Sequence, residues 1–257
     1  MFQGKAGLAL PPYRLTIHLL AMPSPATALV TGATEGIGRA TAFAVGRAGF
    51  RVGVCARTGA KVEALVRDLR SEGIEAAGAA ADVGDAPEVA RAVETILASL
   101  GQIEVLVNNA GVLIARPFLE LTLDDWDTTM ATNLRGMFLM TRAVLPEMRR
   151  RRRGTIVNLA SLAGRSGFAG GTAYAASKHG VLGFSRSLML EVRGDNVRVV
   201  AICPGSVDTG MLRDQPMLTT QAERILRPED VADTIVHALR LPERALLSEI
   251  DLRPTNP

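Results

Sequence analysis

The sequence predicts an α/β protein with a single doubly wound domain, in which helices cover both faces of a seven-stranded parallel sheet. From Ala26 onward, short β-rich apolar runs alternate with longer segments of helical period, which is the pattern of such a sheet. Hydrophobic residues make up 47% of the 257 residues, enough for a large buried core. Only 4% of the residues are aromatic while 25 are glycine, a balance that favours close packing of helices on a sheet.

Each predicted element follows from this alternation. The predicted strands span 27–31, 51–55, 75–80, 105–108, 155–159, 197–202 and 245–252. The predicted helices span 37–48, 60–71, 87–100, 123–152, 172–192 and 228–241. Every connection is long enough for a parallel crossover, and neither a linker of biased composition nor a repeat interrupts the pattern. We therefore expect one domain over 25–257.

The bulk composition excludes several classes of protein. A net charge of +3 is mild for this length, so we expect no nucleic-acid partner. Cys55 and Cys203 lie in predicted buried strands, which argues against a disulfide framework and favours a reducing, cytoplasmic setting. No apolar run reaches the roughly 20 residues of a spanning helix, so we expect no membrane association. We interpret residues 1–24 as a mobile extension or a mis-called start.

A glycine-rich turn follows the first predicted strand and opens onto the first helix. Its pattern is T-G-x-x-x-G-x-G over 31–38, and glycines at these positions let the backbone turn sharply. Free N–H groups at the start of a helix bind a pyrophosphate well, although a tight turn alone would explain the glycines. The candidate cofactor-binding residues in this turn are Gly32, Thr34, Glu35, Gly36, Ile37 and Gly38.

The residues after the second strand indicate which dinucleotide would bind. An acidic side chain there would hold the 2′-hydroxyl of NAD, whereas Ala56 and Arg57 stand at this point. A guanidinium pairs well with a 2′-phosphate, so we predict NADP(H) as the cofactor. Two observations leave the choice open: Arg57 could be a solvated loop residue, and Glu35 is acidic where a basic residue would help.

The candidate catalytic side chains follow the fifth strand and occupy the next helix. Tyr174 and Lys178 are four residues apart and project from one helix face. A neighbouring ammonium should lower the pKa of the tyrosine and allow proton transfer near neutral pH. Ser161 directly follows the fifth strand, where its hydroxyl could stabilise negative charge developing on a carbonyl oxygen. A bare Tyr/Lys pair would suggest only an amphipathic helix; Ser161 favours catalysis.

Taken together, the motifs between 26 and 209 resemble those of the short-chain dehydrogenase/reductase family, in particular its 3-oxoacyl-carrier-protein reductase members. The resemblance implies a Rossmann-type fold, hydride exchange between NADP(H) and a carbonyl or secondary alcohol, and a homo-oligomer, dimer or tetramer. It assigns Tyr174 as acid/base, Ser161 as holder of the oxygen, Lys178 as a contact of the nicotinamide ribose, and Asn133 as support of a water-linked proton relay. It also implies further cofactor contacts at Asp82, Val83, Asn109, Ala110, Gly111, Pro204, Gly205, Val207 and Thr209.

Three features leave the resemblance incomplete or unexplained. The chain lacks the I-T-G-Q-x-x-x-V-D-G-G ending common in the family, which puts its tetramer contacts in doubt. The segment 210–227 should border the substrate, and its apolar residues could either form a wall or merely pack the segment down; they are Met211, Leu212, Met217 and Leu218. Five arginines at 149–153 could be a solvated helix end, a polyanion site or a dock for an acidic carrier protein.

Three classes of function are compatible with these features. The first is a carbonyl reductase or alcohol dehydrogenase, for which 3-oxoacyl thioesters are possible substrates. The second is an NADP(H)-binding sensor or regulatory protein without turnover, and the third is a nucleic-acid-binding protein. The complete set of Asn, Ser, Tyr and Lys favours the first class over the second, and confinement of the positive charge to one short run disfavours the third. The scattered histidines lack metal-ligand spacing, so we expect no metal.

Overall fold

A computed structural model describes residues 26–215, 217–218 and 224–255. The expectation for residues 1–24 falls outside this part of the chain. Seven strands form one sheet: β1 (Thr27–Thr31), β2 (Arg51–Ala56), β3 (Ala76–Ala80), β4 (Ile103–Asn108), β5 (Gly154–Leu159), β6 (Val197–Pro204) and β7 (Glu249–Leu252). The α-helices are α1 (Gly36–Arg47), α2 (Gly59–Ser71), α3 (Ala86–Leu100), α4 (Leu123–Met130), α5 (Gly136–Arg151), α6 (Thr172–Val192), α7 (Gly210–Arg213) and α8 (Pro228–Arg240).

The sheet is parallel throughout, with strand order β3-β2-β1-β4-β5-β6-β7. The chain runs outward from β1 through β2 to β3, and then returns to the other side of β1 with β4. The strand order therefore reverses between β1 and β4. In sheets of this kind, ligands bind beyond the carboxyl ends of the strands at such a reversal. The predicted fold class is confirmed, and the topology places the glycine-rich turn at this point.

Alternation along the strands divides the core between the two faces of the sheet. In β1, Val30 packs on the face covered by α1, α2 and α8, whereas its neighbour Leu29 packs on the face covered by α3, α5 and α6. Leu29, Ile96 and Met140 are fully or almost fully buried on this second face. Burial of side chains of this size contributes about 1.5–3 kcal/mol each, so the two apolar layers hold the sheet edge rigid around the site.

Two predicted elements differ from the observed ones. The helix predicted over 123–152 is continuous but contains a π-helical turn at Ala131–Arg135, between α4 and α5. The strand predicted over 245–252 was too long, because only Glu249–Leu252 pairs with β6. Residues before it instead form a turn in which the Ala245 N–H bonds the Pro242 carbonyl oxygen at 2.8 Å. The short helix α7 was not predicted.

The five arginines at 149–153 lie at the amino-terminal edge of the sheet, opposite the reversal point, and they are paired with acidic side chains. Arg149 contacts Asp195 at 2.6 Å, and Arg150 contacts Glu147 at 2.7 Å. Arg151 and Arg153 contact Glu104, and Arg151 also lies near Glu147. Arg152 contacts Asp195. This arrangement favours the interpretation as a folded helix end, because the carboxylates already offset much of the positive charge.

Three further observations concern the described residues. Cys55 and Cys203 are free buried thiols, and burial raises the pKa of Cys55 to about 12 and that of Cys203 to about 11. Within the same part of the chain, no helix is long and apolar enough to span a bilayer. The His, Cys, Asp and Glu side chains described by the structure form no group of three that could hold a metal ion.

Candidate active site

The glycine-rich turn between β1 and α1 forms a cradle that only glycine permits at two positions. Gly32 has φ +60°, in the left-handed region, and a Cβ there would lie 2.8 Å from the Cα of Ala110. A Cβ on Gly38 would lie 2.2 Å from the carbonyl oxygen of Gly32. The turn therefore stays tight against the helix, and α1 begins with no acidic residue in its first turn. Its free N–H groups are suited to an anion such as a pyrophosphate.

The end of β4 is tied to this turn by hydrogen bonds from Asn109. Its side-chain Nδ2 donates to the carbonyl oxygens of Thr31 at 2.9 Å and Gly32 at 3.1 Å. The backbone N–H groups of Asn109 and Ala110 both donate to the Thr31 hydroxyl at 3.0 Å. Asn109 thus fixes the shape of the cradle from beneath. Its predicted role as a cofactor neighbour is compatible with this position, since its side chain also borders the main cavity.

Two predicted cofactor contacts, Arg57 and Glu35, lie after β2 and in the cradle. The structure adds Lys61, which sequence reasoning missed. Arg57 is exposed just after β2. Glu35, in the cradle, faces the Lys61 ammonium, with 3.4 Å between Oε2 and Nζ. Lys61 lies in the first turn of α2, and its position shortly after the end of β2 is the signal that could have identified it. The acidic side chain that disfavoured a 2′-phosphate is therefore partly neutralised.

Asp82 and Val83 follow β3 and are engaged in local contacts. The Asp82 carboxylate accepts a hydrogen bond from the Gly84 N–H at 2.8 Å, which shapes the loop. The Val83 side chain is buried, and a Cβ on Gly136 of α5 would lie 2.6 Å from it. Any contact between Val83 and a cofactor would therefore come from its backbone.

The candidate catalytic side chains converge beyond the carboxyl ends of β5 and β6. Ser161 and Tyr174 line the same cavity, and the Ser161 side chain lies close enough to lower the pKa of Tyr174 in part. The Ser161 Oγ accepts a hydrogen bond from the Ala163 N–H at 3.1 Å, which orients the hydroxyl. Lys178 is buried, and its Nζ donates to the Leu159 carbonyl oxygen at 2.7 Å and lies 5.7 Å from the centre of the Tyr174 ring. The structure thus brings together the three residues that the sequence proposed.

Burial controls the protonation of this group. It lowers the pKa of Lys178 to about 8, because the ammonium has lost water without gaining a carboxylate. It raises the pKa of Tyr174, and the nearby Ser161 side chain opposes the shift. The sequence predicted a lowered pKa for Tyr174, which is wrong for this arrangement because desolvation of the phenolate outweighs the neighbouring groups. Tyr174 therefore holds its proton at neutral pH and is suited to act as an acid.

Asn133 lies in the π-helical turn between α4 and α5, and its amide is fully used. Its Oδ1 accepts from the Val112 N–H at 2.7 Å, and its Nδ2 donates to the Val112 carbonyl oxygen at 2.9 Å and to the Ser177 hydroxyl at 3.0 Å. Asn133 therefore latches the loop after β4 to α6, the helix that carries Tyr174 and Lys178. Gly111 lies between Asn133 and Lys178, since a Cβ there would be 3.3 Å from Oδ1 and 3.8 Å from Nζ.

One cavity of about 700 Å³ adjoins the catalytic group. Half of the residues predicted for the site line it: Ile37, Asn109, Gly111, Ser161, Tyr174, Lys178, Pro204, Gly205, Val207 and Thr209. The other predicted residues support it from outside or continue toward β2 and β3: Gly32, Thr34, Glu35, Gly36, Gly38, Arg57, Asp82, Val83, Ala110 and Asn133. The lining joins the start of α1 to Tyr174, so a cofactor and a substrate could meet in it.

The far wall of the cavity is apolar. All four residues proposed for this wall line it, which favours a substrate wall over simple packing: Met211, Leu212, Met217 and Leu218. Leu113, Leu162 and Phe168 also line it and were missed, as was Arg253. Phe168 lies between Ser161 and Tyr174 in sequence, and Arg253 directly follows the last strand. Position just beyond a parallel strand was the signal available for Arg253.

Comparisons with known proteins agree with this geometry. A family model described as short chain dehydrogenase matches residues 26–217. A putative ketoacyl reductase of a monensin polyketide synthase from Streptomyces virginiae is 47% identical over 186 residues, which cover 72% of this chain and 71% of that protein. A 3-oxoacyl-[acyl-carrier-protein] reductase from Synechocystis is 39% identical over 81% of this chain and 86% of its own length.

Solved structures show the same likeness. An alcohol dehydrogenase from the archaeon Thermococcus sibiricus, complexed with 5-hydroxy-NADP, superposes with a TM-score of 0.83 at 27% identity, over 90% of this chain and 97% of that one. A variant of actinorhodin polyketide ketoreductase with NADPH gives a TM-score of 0.83 at 34% identity, over 90% and 96% of the two chains.

Proposed function

The chain belongs to the short chain dehydrogenase family, and on that premise we propose that it is an NADP(H)-dependent oxidoreductase interconverting a carbonyl and an alcohol. The observation that carries the proposal is the convergence of Ser161, Tyr174 and Lys178 on one cavity at the carboxyl edge of the sheet. A sensor without turnover would not require a serine, a tyrosine and a buried lysine side by side at one cavity. The alternative of a non-catalytic protein is therefore disfavoured.

The residues present fit a bound dinucleotide phosphate. The cradle at Gly32 and Gly38 has no room for a Cβ, so the backbone can approach a pyrophosphate closely. Arg57 and Lys61 supply two cations near the ends of β2 and the cradle, where a 2′-phosphate would need them. Solved relatives that carry NADP or NADPH support this choice over NAD. When bound, NADPH supplies the hydride.

The chain's own residues supply the rest of the chemistry. Ser161 donates a hydrogen bond to the substrate oxygen, which gains negative charge in the transition state. Tyr174, protonated because burial raises its pKa, gives its proton to that oxygen. Lys178 lies within reach of the resulting phenolate and stabilises it with its positive charge. The apolar wall excludes water from the charge that develops.

Asn133 acts in this proposal through other residues. Its three hydrogen bonds hold Val112 and Ser177 in place, and Ser177 directly precedes Lys178. We therefore assign it a positioning role, which is compatible with the water-linked relay that the resemblance implies.

Two predictions about the setting of the enzyme remain open to test. Phe118, Leu119 and Leu123 are exposed by 69%, 95% and 74% on the segment before and within α4. Such a patch favours a homo-oligomer, which sedimentation velocity of the full chain would check. A reducing, cytoplasmic location stays a prediction that cell fractionation would check.

The direct test is NADPH oxidation by the purified protein with a broad panel of ketones and diketones, beside equilibrium binding of NADPH and NADH. We expect NADPH to bind more tightly than NADH. Turnover should fall about 10²- to 10⁴-fold in Tyr174→Phe, while NADPH binding is kept. Failure of the wild-type protein to bind either nucleotide would overturn the proposal.

A further inference from the structure

Arg253 is a cation at the rim of the substrate cavity that the proposed chemistry does not use. It follows β7 directly, lines the cavity with its neighbour Pro254, and its side chain is 62% exposed. The other charged residue in the described lining is Lys178, to which the proposed function gives a catalytic role. The described lining includes no carboxylate. The chamber therefore presents an apolar wall, a catalytic group at its base and a positive charge at its edge.

The backbone on both sides of Arg253 is anchored beside the cavity, so the side chain starts from a defined point at its rim. The Gly205 N–H donates to the carbonyl oxygen of Leu252 at 2.8 Å, which ties the end of β7 to the segment after β6. A Cβ on Gly205 would lie 3.2 Å from the Pro254 ring and 3.3 Å from Leu162. Residues on both sides of Arg253 are thus packed against elements that line the same cavity.

The neighbouring charges leave Arg253 with the weakest pairing in its cluster. Arg165 donates to Asp251 at 3.0 and 3.1 Å and contacts Glu249 at 2.5 Å. Arg186 contacts Glu249 at 2.6 Å. Among the described residues, the acidic partner of Arg253 is Asp251, at 3.7 Å. The cluster holds three arginines and two carboxylates, and the loosely held arginine is the one that faces the cavity.

We propose that Arg253 binds an anionic group of the substrate, so that the preferred substrates are ketones with an apolar body and a carboxylate or phosphate beyond it. This inference rests on the proposed function and names the substrate class of the same site. An arginine fork pairs with either group, because both present two oxygens at matching spacing. The apolar wall would accommodate the chain between the keto group and the anion.

The test compares matched substrates that differ only in charge. Oxo acids with the ketone at successive positions along the chain are assayed beside their methyl esters, at low and at high NaCl. We expect the wild-type protein to prefer the acid at one or more chain lengths by about 5- to 20-fold in kcat/KM. The preference should decline at high salt and should arise in KM rather than in kcat.

Variants assign the preference to this side chain. Arg253→Gln should bring the acid-to-ester ratio close to one, and Arg253→Lys should restore part of it. Arg67→Gln, which removes an exposed arginine of α2 away from the cavity, should keep the wild-type ratio. A preference that persists in Arg253→Gln, or an equal loss in Arg67→Gln, would overturn the assignment.

A second arm distinguishes the two anions. Acetoacetyl-pantetheine is compared with its 4′-phosphate, and the same variants are used. A preference for the phosphorylated thioester that is lost in Arg253→Gln assigns the site to phosphate, whereas a preference confined to the oxo acids assigns it to carboxylate. No preference in either series overturns the proposal.

Equilibrium binding separates failure of this inference from failure of the proposed function. Calorimetry with an oxo acid and its ester, in the presence of NADP⁺, measures the preference without turnover. Binding of the acid that depends on Arg253, with no reduction of any ketone, would keep the anion site and reject the reductase. Turnover of ketones, with equal binding of the acid and its ester, would keep the reductase and reject the anion site.

Discussion

Two regions beside the long helical segment from α4 to α5 treat charge in opposite ways: the candidate catalytic group next to its π-helical turn, and the arginines at its carboxyl end. Near the π-helical turn, Lys178 is buried, and its pKa is lowered because burial is not offset by a carboxylate. At the far end, five arginines at 149–153 lie among Glu104, Glu147 and Asp195. The proposed catalytic role of Lys178 would explain why an unfavourable buried charge is kept there, whereas the arginines at the other end are paired with carboxylates. A dense run of charges is therefore a weaker indication of a functional site here than a single buried charge without a carboxylate beside it.

Substitution of Lys178 breaks the comparison most sharply. Lys178→Met should lower kcat about 10²- to 10⁴-fold, because the phenolate of Tyr174 loses its stabilising charge. The same substitution should stabilise the fold at neutral pH by about 1–2 kcal/mol. The lowered pKa, from 10.5 to about 8, reflects a cost of about 3 kcal/mol, and loss of the bond to the Leu159 carbonyl offsets part of the gain. Urea unfolding at pH 7 measures the change.

The sign of the pH dependence checks this assignment. A folded pKa below the unfolded one means that the wild-type protein gains stability as the pH rises from about 8 toward 10.5. The advantage of Lys178→Met should therefore be greatest at pH 7 and shrink over that range. Tyr174→Phe serves as the control, since it also loses activity but removes no buried cation. An advantage that is constant with pH would show that repacking, not charge, is its source.

The pH dependence of kcat in the wild-type enzyme tests the role of Lys178 without a substitution. We expect kcat for ketone reduction to fall as the pH rises above about 8, because Lys178 then loses its proton while Tyr174 still holds its own. Initial rates at saturating NADPH measure this. If kcat stayed constant from pH 7 to beyond 9, the rate would not depend on the protonation of Lys178.

Asn133 offers the next largest effect, on stability and activity together. Asn133→Leu removes three hydrogen bonds and leaves the Val112 N–H and carbonyl without their partner, so we expect a loss of about 2–4 kcal/mol. The rate should also fall, because the latch between the β4 loop and α6 is broken. Arg135→Gln, an exposed change in the same π-helical turn, is the matched control. Comparable losses in both variants would point to the turn itself rather than the latch.

Sequence reasoning predicted the fold and named the candidate catalytic residues that the structure brings together, because both rest on local pattern. The alternation of strands and helices dictated the sheet, and Ser161, Tyr174 and Lys178 follow from one strand end and one helix face. It missed the π-helical turn, since the residues of 131–135 carry no glycine, proline or other local signal that marks an interruption of the helix.

Features that depend on distant contacts could not be read from local pattern. The pairing of Glu35 with Lys61 joins residues 26 positions apart, and the Arg165 contacts with β7 span 86 positions. The raised pKa of Tyr174 could not be predicted either, because it depends on desolvation of the side chain by residues distant in sequence. The predicted strand over 245–252 was too long because its first four residues continue the apolar pattern but do not pair with β6.

The cofactor preference should depend on Lys61, an exposed cation whose described partner is Glu35. Lys61→Gln should lower the ratio of NADPH to NADH efficiency about 3- to 10-fold, because it removes a charge near the 2′-phosphate and leaves Glu35 unopposed. Glu35→Gln should raise the ratio, and Arg67→Gln on the same helix should leave it unchanged. Measured kcat/KM for both nucleotides decides this. A ratio that ignores both changes would remove Lys61 and Glu35 from the cofactor site.

The smallest effect belongs to the arginine end. Arg149→Gln removes a pair with 2.6 Å between Nε and the Asp195 carboxylate, and both side chains are partly exposed. Such pairs contribute about 0.5 kcal/mol, so urea unfolding should show a small loss that disappears in about 0.5 M NaCl. Ketone reduction should be unchanged, because the run lies at the opposite edge of the sheet. A large fall in carrier-linked turnover or in nucleic-acid affinity, with stability unaltered, would instead make these arginines a binding surface and remove the contrast between the two ends.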